Sequence, residues 1–234
     1  GIKDRHGYGA ERFRVEPEFA IRIDPALGVL GVLLEPASIL AKAWDHTEGI
    51  GKRSRAWRPR TLMVTGAGPI GLLAALMGAQ RGLEVHVLNH HASDIKSSLV
   101  RDLGGTFHVD GVAAIDRVGP DILMECTGAP SLIRDILSRA GSGGIVCLTG
   151  VTSAGNCEDF DIGHYNRGMV LNNEAVFGTV NANHWHYEMA ADALARADKE
   201  WLARLITRRV PVERWSEAME HHRDDIKVIV DFAP

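Results

Sequence analysis

The chain has 234 residues, enough for one or two domains and for a core that needs no disulfide or metal staple. Apolar residues make up 45%, charged residues 24% and the formal net charge is −4, which argues against disordered, collagenous and nucleic-acid-binding classes. No apolar run approaches the roughly 18–20 residues that cross a bilayer, and the first residues lack a signal-peptide pattern, so no membrane partner is expected. Cys126, Cys147 and Cys157 form no C-x-x-C pair and no even framework. Cys126 and Cys147 sit in apolar runs as small buried thiols, and a reducing, cytoplasmic setting is expected.

In chain order, residues 1–60 hold an Arg- and aromatic-rich start with Tyr8, Phe13 and Phe19, a strand-like Ala20–Ile23, a helix from about Pro36 to Asp45, and a basic, turn-rich connector Lys52–Arg60. From residue 61 the pattern changes. Short β-rich runs at Thr61–Thr65, Glu84–Asn89, Phe107–Val109, Asp121–Cys126, Gly144–Thr149 and Ala175–Val180 are predicted strands. Helical stretches at about Pro69–Arg81, Asp94–Leu103 and Ser131–Arg139 lie between them. Nearly continuous apolar strands alternating with helices predict an α/β fold, a doubly wound parallel sheet covered on both faces. Trp215–His221 is then predicted helical and Ile226–Phe232 a strand. The end pieces are too short to fold alone, so they are expected to belong to a second domain whose remainder is elsewhere, and the chain is read as truncated.

The sharpest motif is Gly66-Ala67-Gly68-Pro69-Ile70-Gly71, placed between a predicted strand and a helix. In this G-x-G-x-x-G spacing Gly66 permits the tight turn, Gly68 lets backbone approach a pyrophosphate, and Gly71 allows close helix–strand packing. The helix N-terminus adds free N–H groups and partial positive charge. An NAD site usually places an acid about 20 residues on, for the ribose hydroxyls. Here the strand ends in Asn89-His90-His91. Asn89 can donate to a hydroxyl or a phosphate, and His90 and His91 can hold a 2′-phosphate, so NADP is favoured and NAD remains possible. Thr127 and Thr149 follow later strand ends, where ligands bind in such folds; either serves the cofactor or an ordinary turn.

These residues carry a resemblance. The glycine motif, Glu125-Cys126-Thr127-Gly128 and Ile226-Lys227-Val228-Ile229-Val230-Asp231-Phe232 resemble the medium-chain dehydrogenase/reductase superfamily. Three further segments are similar to its glucose dehydrogenase branch: residues 1–11 ending in Glu11, Leu33-Leu34-Glu35-Pro36, and Gly178-Thr179-Val180-Asn181. The resemblance implies a Rossmann domain over 61–185, a partial catalytic domain with a linking helix over 1–60, and final helices and strand over 186–234 returning to that GroES-like catalytic domain. It implies that Glu11 binds sugar hydroxyls, that Glu35 ligates zinc or stands beside a ligand, and that Asn181 bonds substrate or nicotinamide. The implied activity is NADP-dependent, zinc-assisted oxidation of an aldose, glucose first, at C1 to the lactone. A dimer or tetramer is expected.

This sequence departs from the branch in two ways. The remaining zinc ligands of the family lie in an N-terminal part not present here, and histidines stand where the branch has basic residues for a 2′-phosphate. His184-x-His186 and His221-His222, on predicted helix faces without acid or cysteine company, are not expected to replace the ligands. The chain alone is expected to bind NADP(H) and turn over poorly. Two alternatives stay open: another medium-chain alcohol or polyol dehydrogenase, and a non-catalytic nucleotide-binding domain.

Overall fold

The computed structural model describes residues 7–137, 139–152 and 160–232. The first six residues of the segment ending at Glu11, and Cys157, lie outside the described residues. After a 3-10 turn at Pro17–Phe19 and a 3-10 stretch at Pro25–Leu33 comes helix α1 (Leu34–Gly51). Strand β1 (Thr61–Thr65), α2 (Pro69–Ala79), β2 (Glu84–Leu88), α3 (Asp94–Asp102), β3 (Thr106–His108), α4 (Val112–Val118), β4 (Ile122–Glu125), α5 (Pro130–Ile136), β5 (Ile145–Leu148), α6 (Ile162–Asn172) and β6 (Ala175–Gly178) follow. The chain ends with α7 (His184–Ala195), α8 (Lys199–Leu205), β7 (Ile206–Pro211), a 3-10 stretch at Val212–Met219 and β8 (Lys227–Asp231).

The first six strands form one parallel sheet in the order β3-β2-β1-β4-β5-β6, the doubly wound arrangement with its switch point between β1 and β4. Alternation along the strands divides the core. Leu62, Val64, Val85, Val87 and Met124 face α1, α2, α7 and α8, while Met63, Leu88, Leu123 and Val146 face Ile115 of α4 and Ile136 of α5. The strands β7 and β8 make a separate two-stranded parallel sheet.

All six predicted sheet strands form. Around them the structure corrects several expectations. The helix predicted over Pro36–Asp45 runs from Leu34 to Gly51, because Leu34, Ala37, Leu40, Ala41 and Trp44 recur at helical spacing and are all buried. Together with the preceding 3-10 stretch it makes a helical run, Pro25–Gly51, long and apolar enough by composition to cross a membrane. Half of its most apolar window is buried in the core, which accounts for that composition. Ala20–Ile23 is not a strand, since no neighbouring strand offers it a ladder among the described residues. The helices α4, α6 and α8, of seven, eleven and seven residues, and the six-residue partner strand β7 are not marked in the sequence, being too short for a strong periodic signal. The predicted helix at Trp215–His221 is a 3-10 stretch that ends at Met219, so His221 and His222 lie beyond it.

Candidate functional site

The glycine turn leaves β1 at the carboxyl end of the sheet. Gly66 adopts φ +92°, and its N–H donates to Leu88 O at 2.7 Å, tying the turn to β2. A Cβ on Gly71 would lie 1.8 Å from Gly66 O, so only glycine lets α2 start this close to the turn. Gly68 is different: a Cβ there would meet nothing within 4 Å. That open side, next to the first-turn N–H groups of α2 at Ile70 and Gly71, is the cradle an anionic group would fill. Pro69 opens the helix at no hydrogen-bonding cost.

Asn89 is committed to this turn. Its Oδ1 accepts from Ala67 N at 3.1 Å and its Nδ2 donates to His91 O at 2.8 Å. Its amide therefore shapes the β1–α2 and β2–α3 loops, leaving one N–H for a ligand. Beside the turn opens a cleft of about 610 Å3, walled by Leu88, Val109, Val112, Ala129 and Leu132, with Gly66, Asn89, His90 and Thr127 at its polar edge. A flat apolar slot beside an anion cradle suits a nucleotide base. The rings of His90 and His91 are exposed and meet edge to face at 4.2 Å. Sequence reasoning missed a cation here. Arg223 Nη2 donates to Ala92 O at 3.5 Å, and Lys96 Nζ to Arg223 O at 3.4 Å. Arg223 comes from 131 positions away, so no local pattern announces it.

Beneath the turn lies the fully buried carboxylate of Glu125, at the end of β4. Its Oε1 accepts from Thr127 N at 2.6 Å, Thr127 Oγ1 and Gly128 N, and its Oε2 also from Gly128 N. A Cβ on Gly150 would sit 2.5 Å from Oε2, so the loop after β5 closes on the same carboxylate. Thr127 Oγ1 also accepts from Ala129 N, and Thr149 Oγ1 donates to Glu125 O at 2.7 Å. Both threonines thus make turn bonds, and Thr127 in addition lines the cleft. Burial pushes the Cys126 thiol up to about 12 and the Cys147 thiol up as well, so both are protonated.

The flanking candidates stand apart. Glu35 is in the first turn of α1, exposed, and Glu11 is exposed in irregular chain. Asn181 follows β6 in the left-handed region at φ +60°, and Lys42 Nζ of α1 donates to the preceding Val180 O at 3.0 Å. Thr179, next to it, is buried with Oγ1 unpartnered. No hydrogen bond or ion pair joins Glu11, Glu35 and Asn181 among the described residues. One carboxylate does not make a zinc site, which needs three or four donors, and no group of three donors includes Glu35 among the described residues.

One such group does exist, at Asp45, His46 and His186. It corrects the expectation that His186 lacks acid company, since Asp45 Oδ2 lies 3.4 Å from its Nε2. The pair predicted at His184 and His186 is instead divided, with His184 Nε2 against Glu18 O at 2.6 Å. The cap of α7 decides the chemistry: Asn183 N donates to His186 Nδ1, so the neutral ring carries its hydrogen on Nε2, facing Asp45. That tautomer leaves Nε2 no lone pair for a metal.

Residues 28–232 match the family model described as glucose dehydrogenase C-terminus. A glucose 1-dehydrogenase of Methanocella arvoryzae is 35% identical over 99% of this chain and 67% of its own length. That of Thermoproteus tenax is 34% identical over 98% and 67%. The solved Haloferax mediterranei glucose dehydrogenase in complex with NADP, Zn and gluconolactone superposes with TM-score 0.90 at 27% identity, over 98% of this chain and 66% of that one. The chain thus spans about two thirds of the relatives it matches. An alcohol dehydrogenase of Thermotoga maritima shares the fold, with TM-score 0.69 at 22% identity. The chain belongs to the glucose dehydrogenase branch of the medium-chain dehydrogenase/reductase superfamily.

Proposed function

We propose that the protein binds NADP(H) at the glycine turn and serves the oxidation of an aldose, glucose first, at C1 to its lactone. The observation that carries this reading is the open face at Gly68, between the α2 N-terminus and a nucleotide-sized cleft, in a chain of this family. When bound, the coenzyme supplies the two-electron acceptor for hydride leaving C1. The chain's own work is positional. First-turn N–H groups of α2 hold the pyrophosphate, and the apolar slot takes the base. His90, with Arg223 and Lys96 close by, offers donors to a 2′-phosphate where an NAD site would carry an acid. Asn181, fixed in its left-handed turn by the Lys42 bond to Val180, presents an amide at the end of β6 to nicotinamide or sugar.

Glu11 as a sugar ligand and Glu35 as one zinc donor belong to the same proposal, as do a cytoplasmic setting and a dimer or tetramer. The Haloferax relative, with NADP, Zn and gluconolactone bound, supports it.

The test is a fluorescence titration of this chain with NADPH and, separately, NADH. Tighter binding of NADPH is expected, with at least tenfold of that preference lost in a His90→Ala/Arg223→Ala variant that leaves NADH affinity unchanged. Binding of neither nucleotide to the folded chain would overturn the proposal. Equal affinity for both would remove the 2′-phosphate assignment and leave the glycine turn standing.

A further inference from the structure

At the opposite end of the sheet, where the strands begin, a second cavity of about 490 Å3 opens between the connector after α1 and the loops that lead into β5 and β6. We infer that this cavity is a binding site for a small polyanion, a molecule with clustered phosphate or carboxylate oxygens, distinct from the coenzyme site.

The lining is rich in donors already held in place. Arg53 Nε donates to Ile50 O at 3.0 Å, and among the described residues both terminal nitrogens of its guanidinium are free. Arg58 Nη1 donates to Arg55 O and Trp57 O, and among the described residues its Nε and Nη2 are free. Neither arginine has a carboxylate partner among the described residues. A guanidinium anchored through one nitrogen loses little further freedom when the others take up an anion. Trp57 lines the same cavity with its six-membered ring pressed on Gly51, where a Cβ would lie 2.2 Å from the ring. Its Nε1 is shut off from the cavity's open space and has no acceptor among the described residues, so it is the ring, not the N–H, that walls the cavity. Ser54 and Ser142 add hydroxyls.

Two features oppose an anion, and each already has donors bound to it, although Asp121 keeps its charge. The carbonyl end of α1 is covered by Arg53 itself. Asp121, the carboxylate in the lining, receives Arg60 N, Thr61 N and Thr61 Oγ1 on its Oδ2. Lys52, Arg55 and Arg60 lie exposed in the same connector.

The experiment is calorimetric titration of the chain with pyrophosphate and, separately, with citrate, alongside thermal melts. Saturable binding is expected in the wild type, with a higher melting temperature in ligand. In Arg53→Gln/Arg58→Gln the affinity should fall at least tenfold while NADPH binding is kept. Arg58→Gln alone should weaken binding a few-fold and serves if the double variant does not fold. Preference for pyrophosphate would assign a phosphate ester, and preference for citrate a polycarboxylate. The inference fails if neither anion binds. It fails equally if binding survives both variants, which would place the anion at the glycine turn.

Discussion

The two ends of the same parallel sheet are built in opposite ways. At the carboxyl end, glycines are fitted against backbone and polar groups are matched to one another: Gly71 against Gly66, Asn89 to Ala67, and Glu125 to Thr127 and Gly128. Gly68 and Gly111 open outward there, Gly68 at the glycine turn itself, and Thr179 Oγ1 is the buried side-chain atom near this end that lacks a partner among the described residues. At the amino end, Trp57 Nε1 and both carboxylate oxygens of Glu174 are buried without hydrogen-bond partners, and Arg53 and Arg58 have no acid, among the described residues. The first end is preorganised around one open face, as a site that must hold a cofactor rigidly should be. The second keeps unsatisfied polarity, which points either to a ligand or to stability left unrealised.

The largest expected effect separates two glycines three positions apart, the cap of α2 and a residue of its first turn. Gly71→Ala forces a methyl group into Gly66 O and should cost about 3 kcal/mol, read by urea unfolding. Gly68→Ala meets nothing and should leave stability within about 0.5 kcal/mol while NADPH affinity falls at least tenfold. A Gly71→Ala protein as stable as wild type would break the contrast outright. Next comes Glu125→Gln. With its oxygen kept at the Oε1 place for Thr127, the amide sets an N–H group against Gly128 N where Oε2 now accepts, so stability should drop by about 2 kcal/mol and coenzyme affinity with it. A neutral result would mean that the loops do not depend on the carboxylate.

These differences follow what the sequence alone makes legible. The six strands, the doubly wound class and the glycine turn are written in local patterns: β-rich runs of three to six residues, and a motif whose spacing is itself the geometry. Asn89 was also visible as a strand-end residue, but its side chain turned out to brace Ala67, because only the fold brings the two loops together. Arg223 beside Ala92 and Asp45 beside His186 are contacts across more than a hundred positions, and no periodicity carries them. Glu125 stands in a legible motif, but its burial beneath the loops after β4 and β5 is not readable from the sequence. Short α4 and α8 hide for a different reason, having too few turns to repeat a pattern.

A smaller effect probes the amino end. Burial pushes the Glu174 carboxyl above its ordinary range, with the nearby Ala140 backbone opposing it weakly. A carboxyl raised in the folded state holds its proton there at pH values where the unfolded chain has lost it. Stability is therefore fullest below the ordinary carboxylate range and declines as pH rises through the raised value. Glu174→Gln should remove that decline and add about 1 kcal/mol near neutral pH. Urea midpoints at pH 4.5 and 7.5 measure it, and a variant that declines with pH as wild type does would show that the group is not the cause.

The smallest effect tests whether the carboxyl end owes anything to the N-terminal flank. Between residues 7 and 20 every side chain is exposed, and Tyr8 and Phe13 pair with each other at 4.8 Å rather than with the core. Glu11 has no bond to the sheet among the described residues, so Glu11→Ala should shift the unfolding midpoint by no more than about 0.5 kcal/mol and leave NADPH affinity unchanged. That silence would carry information, since a residue proposed to meet a sugar should be dispensable for folding and for coenzyme binding alike. A loss of NADPH affinity would instead tie the flank to the nucleotide, moving Glu11 from the sugar to the coenzyme side of the site. A loss of stability would show that the segment packs on the sheet and helps to build the end of the fold where the glycine turn lies.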